Sequence, residues 1–102
     1  MSTAFALLAD PSRRRLLDEL RAGERTVGTL VDRLGLSQPA VSKHLRVLRD
    51  AGLVNARVDA QRRIYQLCAD GLREVDEWIA PFRVHWEERV DVLEQVLDRM
   101  ED

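Results

Sequence analysis

The chain has 102 residues, 45% of them hydrophobic and 33% charged, with a formal net charge of −2. That length suits one domain with a single core, and no apolar run approaches the roughly 18 residues that cross a bilayer. The opening residues lack the basic region and apolar stretch of a secretory signal, and the single cysteine, Cys68, excludes an intramolecular disulfide framework; a cytoplasmic location is expected. The charge is unevenly spread: residues 1–69 hold 12 Lys and Arg against 7 Asp and Glu, whereas residues 70–102 hold 4 against 11. A basic front and an acidic tail predict two surfaces with different partners.

Turn signals divide the chain into short helices, one hairpin and one long helix. A short apolar helix around Phe5 to Leu8 ends at Asp10-Pro11. Asp10 caps the next helix with Pro11 at its first position, where a missing N–H costs nothing; Leu16, Leu17 and Leu20 mark its inner face, and Gly23 stops it. Thr26 caps a third helix bearing Val27, Leu30, Val31 and Leu34 and ended by Gly35. Ser37 caps a fourth, with Pro39 in its first turn, running to Gly52. Only Gly35-Leu36 separates the third and fourth helices, the tight connection of a helix-turn-helix.

From Leu53 the period changes to two. Leu53 to Val58 and Ile64 to Cys68 alternate as strands joined by Asp59-Ala60-Gln61-Arg62, a predicted hairpin. Asp70 then caps a last helix of about thirty residues, in which Leu72, Val75, Ile79, Phe82, Trp86, Val90, Leu93, Leu97 and Met100 recur every three or four residues. So long a stripe exceeds what a small core buries, and part of it is expected to face a second copy. Pro81 within this stripe is read either as a junction between two helices or as a bend.

On the fourth helix, Val41, Leu45 and Leu48 share one side at 100° per residue. Pro39, Ser42, Lys43 and Arg46 centre on the other, flanked by Gln38 and Arg49. This side offers amide, hydroxyl, ammonium and guanidinium groups and no carboxylate, the set that pairs with base edges and phosphates. Any surface helix needs a polar side, so polarity alone does not decide. The short turn before this helix and the basic hairpin after it, with Arg57, Arg62 and Arg63, favour DNA over solubilising edge arginines.

Ser37-Gln38-Pro39-Ala40-Val41-Ser42-Lys43-His44-Leu45-Arg46-Val47-Leu48-Arg49-Asp50-Ala51-Gly52-Leu53-Val54, followed by Arg62-Arg63-Ile64-Tyr65-Gln66-Leu67 and preceded by Leu8-Ala9-Asp10-Pro11-Ser12-Arg13-Arg14, resembles the ArsR-type family of winged-helix repressors. The resemblance implies a mainly α fold with a small β-hairpin, in the order α-α-α-α-β-β-α. It implies one winged helix-turn-helix domain over 1–102, with a DNA-reading part at 11–68 and a dimerisation helix at 70–101. It further implies a repressor that binds double-stranded DNA at an inverted repeat. DNA contacts would come from Gln38, Ser42, Lys43 and Arg46 on the recognition helix and from Arg62 and Arg63 on the wing. A homodimer through the first and last helices would use Phe5, Leu8, Ile79, Phe82, Trp86, Val90, Leu93 and Leu97.

Departures from the family's metal sensors are specific. The third-helix stretch Arg25 to Leu34 has no cysteine, and of the last-helix ligand set only His85 and Glu88 are present, with Leu72 where a ligand would stand. Two scattered ligands do not close a site, so no metal and no cofactor is expected. Trp78 and Trp86 read as interface or core anchors rather than ligand-pocket walls, and Cys68 as a small buried apolar group rather than a redox switch. Ser42, Lys43 and His44, each turned 100° from the last, form no catalytic relay; no enzyme is expected. The competing readings are a winged-helix module that binds protein instead of DNA, and a metal- or ligand-released repressor of the same family.

Overall fold

The computed structural model describes residues 3–101, in the order α1 (Thr3–Leu8), α2 (Pro11–Ala22), β1 (Arg25–Thr26), α3 (Val27–Leu34), α4 (Gln38–Asp50), β2 (Val54–Asp59), β3 (Arg62–Leu67), a 3-10 turn (Ala69–Leu72) and α5 (Arg73–Glu101). Local chemistry sets most boundaries. Asp10 accepts the Ser12 N–H at 2.8 Å and Pro11 opens α2. Thr26 and Ser37 each accept a backbone N–H three residues on, at 3.3 Å, and start α3 and α4. Gly35 closes α3 in the left-handed region at φ 67° and returns its N–H to Val31. A residue with a Cβ is strained there.

The sheet is antiparallel with order β1-β3-β2. The expected hairpin is present, with Asp59 opposite Arg62 and Val54 opposite Leu67. A third strand joins it, Arg25 opposite Tyr65 and Thr26 opposite Ile64. Thr26 therefore serves twice: its extended backbone pairs with β3, while its side chain caps α3. At the wing tip the loop has no glycine, and Ala60 takes the positive φ, at 57°.

The core lies between α2, α3, α4 and the base of the sheet. Leu16, Leu30, Val41, Leu45, Leu48 and Leu53 are its fully buried side chains, joined by Leu17, Leu20, Leu34, Val54 and Tyr65. The helix-turn-helix is thus held from its inner side, and its outer side is left to solvent.

The last helix differs from expectation at its start and at Pro81. Asp70 does not cap it: residues 69–72 form a 3-10 turn whose N-cap is Cys68, and Asp70 pairs with Arg73 at 3.3 Å. The turn is forced inward at Gly71, where a Cβ would come within 2.6 Å of the Gly52 carbonyl oxygen and 2.7 Å of the Leu53 side chain. Cys68 is half-buried rather than enclosed. Pro81 does not divide the helix; α5 continues unbroken through it. Pro81 faces solvent, so the carbonyl four residues earlier, which loses its donor, can turn to water.

At about 1.5 Å per residue, α5 is about 43 Å long, and it draws the chain out to 64 × 32 × 22 Å. Its first turns pack against α1, where Trp78 meets Phe5 edge-on at 5.6 Å, and within α5 Trp78 lies tilted against Phe82 at 5.0 Å. Beyond Ile79 every described residue is exposed, Val84, Trp86, Val90, Val92, Leu93, Val96, Leu97 and Met100 among them.

Candidate nucleic-acid interface

The recognition helix α4 is seated by Val41, Leu45 and Leu48, at 0%, 1% and 0% exposure. These three anchors fix its rotation, and rotation determines which side chains face outward. Gln38, Pro39, Ser42, Lys43, Arg46 and Arg49 are all exposed. The sequence-predicted face is therefore one continuous surface, and no carboxylate lies on its N-terminal half. His44, between the two sides, is half-buried and accepts from Arg13 Nε of α2 at 3.3 Å. Arg15 donates to the Leu34 carbonyl at 3.2 Å and ties α2 to the end of α3. Arg33 binds Glu19, which lies 4.0 Å from Arg25 as well. The helix-turn-helix is thus cross-braced behind its reading face.

The three wing arginines do not share one face. In an antiparallel ladder directly opposed residues share a face, and successive residues alternate. Arg57 opposes Ile64 and Asp59 opposes Arg62, so Arg57, Arg62 and Gln66 share one face. Arg63 and Tyr65 share the other, beside α4, where Arg63 lines the same cleft as Ser42 and Arg46. Arg57 is engaged by Glu24 at 2.7 Å, and Gln66 donates to the second oxygen of that carboxylate. These bonds hold the Glu24 carboxyl below the usual carboxylate range, the Arg57 bond contributing most, and they raise Arg57 further. Arg62 sits 3.9 Å from Asp59. Of the three side chains, that of Arg63 alone has no ion pair or hydrogen bond among the described residues. The charge run Arg62-Arg63 does not reveal this split, because the face of each side chain follows from strand register.

Arg49, expected on the flank of this face but not among its contacts, and Tyr65, not expected there, belong to the same surface. Arg49 and Tyr65 line the cleft with Arg46 and Arg63. Helical spacing carries a signal for Arg49, one turn beyond Arg46; Tyr65 is placed by strand pairing alone. On α5, His85 and Glu88 lie one turn apart on an exposed surface, and among the described residues no three His, Cys, Asp or Glu side chains group as metal ligands. No helix among the described residues is long and apolar enough to cross a membrane.

The model of the bacterial regulatory protein arsR family matches residues 10–56, from the α2 cap through the first half of β2. The transcriptional repressor SdpR of Bacillus subtilis (strain 168) is 30% identical over 82 residues, covering 80% of this chain and 91% of that repressor. The chain belongs to the arsR family of bacterial regulatory proteins. A probable mercury resistance operon repressor of Streptomyces lividans is 46% identical over 63 residues, which is 62% of this chain and 50% of that protein. Among solved structures, a possible transcriptional regulator for arsenical resistance superposes with a TM-score of 0.71 at 36% identity, covering 90% of this chain and 95% of that one. This arsR-family chain is a transcriptional repressor of winged helix-turn-helix fold, built on a mainly helical frame with a small three-stranded antiparallel sheet. The family match confirms the resemblance carried by residues 37–54, and the superposition the winged fold, with β1 added to the expected hairpin.

Proposed function

We propose that this arsR-family protein represses transcription by occupying double-stranded DNA as a homodimer, one recognition helix in each of two successive major grooves. The observation that carries the reading is the outward side of α4. Gln38, Ser42, Lys43 and Arg46 stand exposed on a helix whose opposite side is locked by Val41, Leu45 and Leu48. A helix so held presents donors to base edges and cations to phosphates without first being ordered. Arg63 extends this surface from the wing. Arg57 and Arg62 stand on the wing's other face, where Glu24 and Asp59 offset part of their charge while both side chains remain exposed to an approaching duplex.

The homodimer rests on α5. An exposed array that includes Phe82, Trp86, Val90, Leu93 and Leu97 is a contiguous apolar surface of the kind monomers do not keep. Leu8 and Ile79, expected at the same interface, are half-buried within the chain; they support α1 against α5 and leave the distal turns as the main contact. Pairing would set the recognition helices about 34–36 Å apart for adjacent half-sites on an inverted repeat. The protein is read as cytoplasmic and as needing no cofactor.

Selection of bound duplexes from a random pool tests this directly. The expected result is an inverted repeat with half-site centres one helical turn apart. Arg46→Ala then loses about 1–3 kcal/mol and discrimination at one base pair if Arg46 reads a base. A wild-type protein with no duplex preference and no salt-dependent affinity overturns the reading.

A second reading has one observation in its favour: a relative is named as a probable mercury resistance operon repressor. In that case a metal or small ligand releases the DNA. Stoichiometric tight binding of Hg²⁺ or Zn²⁺ by tag-free protein, with loss of the shifted DNA band, would establish it.

A further inference from the structure

The space between recognition helix and wing is a cleft of about 410 Å³, walled by Ser42, Arg46, Arg49 and Asp50 from α4 and by Arg63 and Tyr65 from β3. Ser42, Arg46 and Arg49 follow at helical spacing and share one side of α4. Arg63 and Tyr65 stand on the wing face that turns toward them. Three guanidiniums from two elements therefore converge on one concavity that holds a single carboxylate.

What sets them apart is that unpartnered guanidiniums meet in one cleft. The guanidiniums of Arg46, Arg49 and Arg63 have no ion pair or hydrogen bond among the described residues. Among those residues, six guanidiniums elsewhere meet carboxylates, Arg25 and Arg33 with Glu19, Arg57 with Glu24, Arg62 with Asp59, Arg73 with Asp70 and Arg83 with Asp76, and the remaining unpaired ones, Arg21, Arg89 and Arg99, stand outside this cleft. Clustered like charge that one carboxylate leaves unbalanced works against the folded state. Such a cost is retained where function needs the site, so the missing negative charge belongs to a ligand. Arginine forks fit the oxygens of a phosphate in bidentate fashion, and the charged, polar lining does not suit an apolar metabolite.

We infer that this cleft seats one backbone phosphate of the bound duplex, clamped by Arg46 and Arg49 from the helix and Arg63 from the wing. The inference rests on the DNA-binding reading above and deepens it. Arg49 becomes a DNA contact, Arg46 is shared between phosphate and groove, and the clamp fixes the angle between wing and helix only when DNA is present.

Two measurements on the full chain test it, using Arg49→Gln and Arg63→Gln. In the first, affinity for a pool-selected duplex and for a scrambled one is followed against salt. Each variant should bind both about tenfold more weakly, by the same factor, with the log–log salt slope flattened by about two, one contact from each subunit, because a phosphate contact carries no sequence information. A loss confined to the selected duplex, or no loss, overturns the clamp. In the second, melting is compared in inorganic phosphate and in chloride at equal ionic strength. Phosphate should raise the Tm of wild type more than that of either variant, and in dilute chloride the variants should melt no lower than wild type. A merely structural arginine would lower it. Equal phosphate shifts in all three proteins overturn the oxyanion seat. A wild type that binds no duplex but keeps a cleft-dependent phosphate shift overturns the duplex as its source, and the repressor reading with it.

Discussion

Glu24 and Arg57 meet at 2.7 Å although 33 residues separate them, and Gln66 binds the same carboxylate from the neighbouring strand. Glu24 stands in the turn before β1, so one side chain ties both long wing strands to the end of α2. The tether lies on the wing face away from the recognition helix. It therefore braces Arg63 in its cleft without occupying the cleft.

The first prediction concerns this tether. Its bonds depress the folded-state pKa of Glu24. A depressed carboxylate stabilises the fold above its unfolded pKa, and that contribution is lost as pH falls through the folded value. The Tm difference between wild type and Glu24→Gln should thus be constant at neutral pH and close in acid, below the ordinary glutamate range near ~4.3. The group is exposed, so the difference is small. Hydrogen exchange at the wing strands is the more sensitive readout, and it should quicken in the variant at pH 7. Equal wing exchange in both proteins would show that the tether does not order the wing.

A second prediction separates stability from binding at one position. Ser37 accepts the Ala40 N–H at 3.3 Å and starts the recognition helix. Ser37→Ala should cost about 1 kcal/mol and lower Tm by several degrees. Ser37→Asp keeps a capping oxygen and places a negative charge at the positive end of the helix dipole, so it should melt close to wild type. It also sets a carboxylate where phosphate approaches, and duplex affinity should fall. Calorimetry with gel shifts distinguishes the two variants; a Ser37→Asp protein that binds DNA normally would remove the N-terminus of α4 from the interface.

These positions also show which parts of the fold were legible. Asp10, Thr26 and Ser37 were readable as caps because a capping oxygen bonds an N–H two or three residues away, inside the window where sequence is informative. Val41, Leu45 and Leu48 were readable because helical period alone puts them on one side. The strand at Arg25–Thr26 was not, since two residues carry no period and their extended state is fixed by Tyr65 and Ile64, some forty residues on. The same reason hid the wing's division. Arg57, Arg62 and Arg63 look alike in sequence, and only cross-strand register sends Arg63 to the helix and the other two to carboxylates. Asp70 misled as a cap because the chain turns in at Gly71 before α5 begins.

That turn gives a third prediction. The Cβ of an alanine at position 71 would lie 2.6 Å from the Gly52 carbonyl oxygen and 2.7 Å from Leu53 Cδ2, with Leu53 fully buried. Backbone and core cannot both yield, so Gly71→Ala should cost about 1–3 kcal/mol, as overpacking does. Chemical denaturation measures it. The m-value should be unchanged, because the same surface is exposed on unfolding. A Gly71→Ala chain as stable as wild type would mean that α5 is not docked against the α4–β2 junction.

The last prediction tests what α5 is for. Leu93 is 58% exposed in the single chain, one helical turn from Val90 and Leu97 on the same stripe. In a dimer joined through this stripe its side chain would be buried, and an unpaired glutamate there carries a desolvation cost. Glutamate is a good helix former, so Leu93→Glu should leave helicity and Tm in the monomer intact. Sedimentation should show wild type as a dimer and the variant as a monomer at micromolar concentration. Duplex affinity should then drop by about 10²-fold or more, because two linked half-sites become two independent encounters. A variant that stays dimeric assigns the stripe to another partner. A variant that is monomeric yet binds the inverted repeat as tightly as wild type removes pairing from the mechanism.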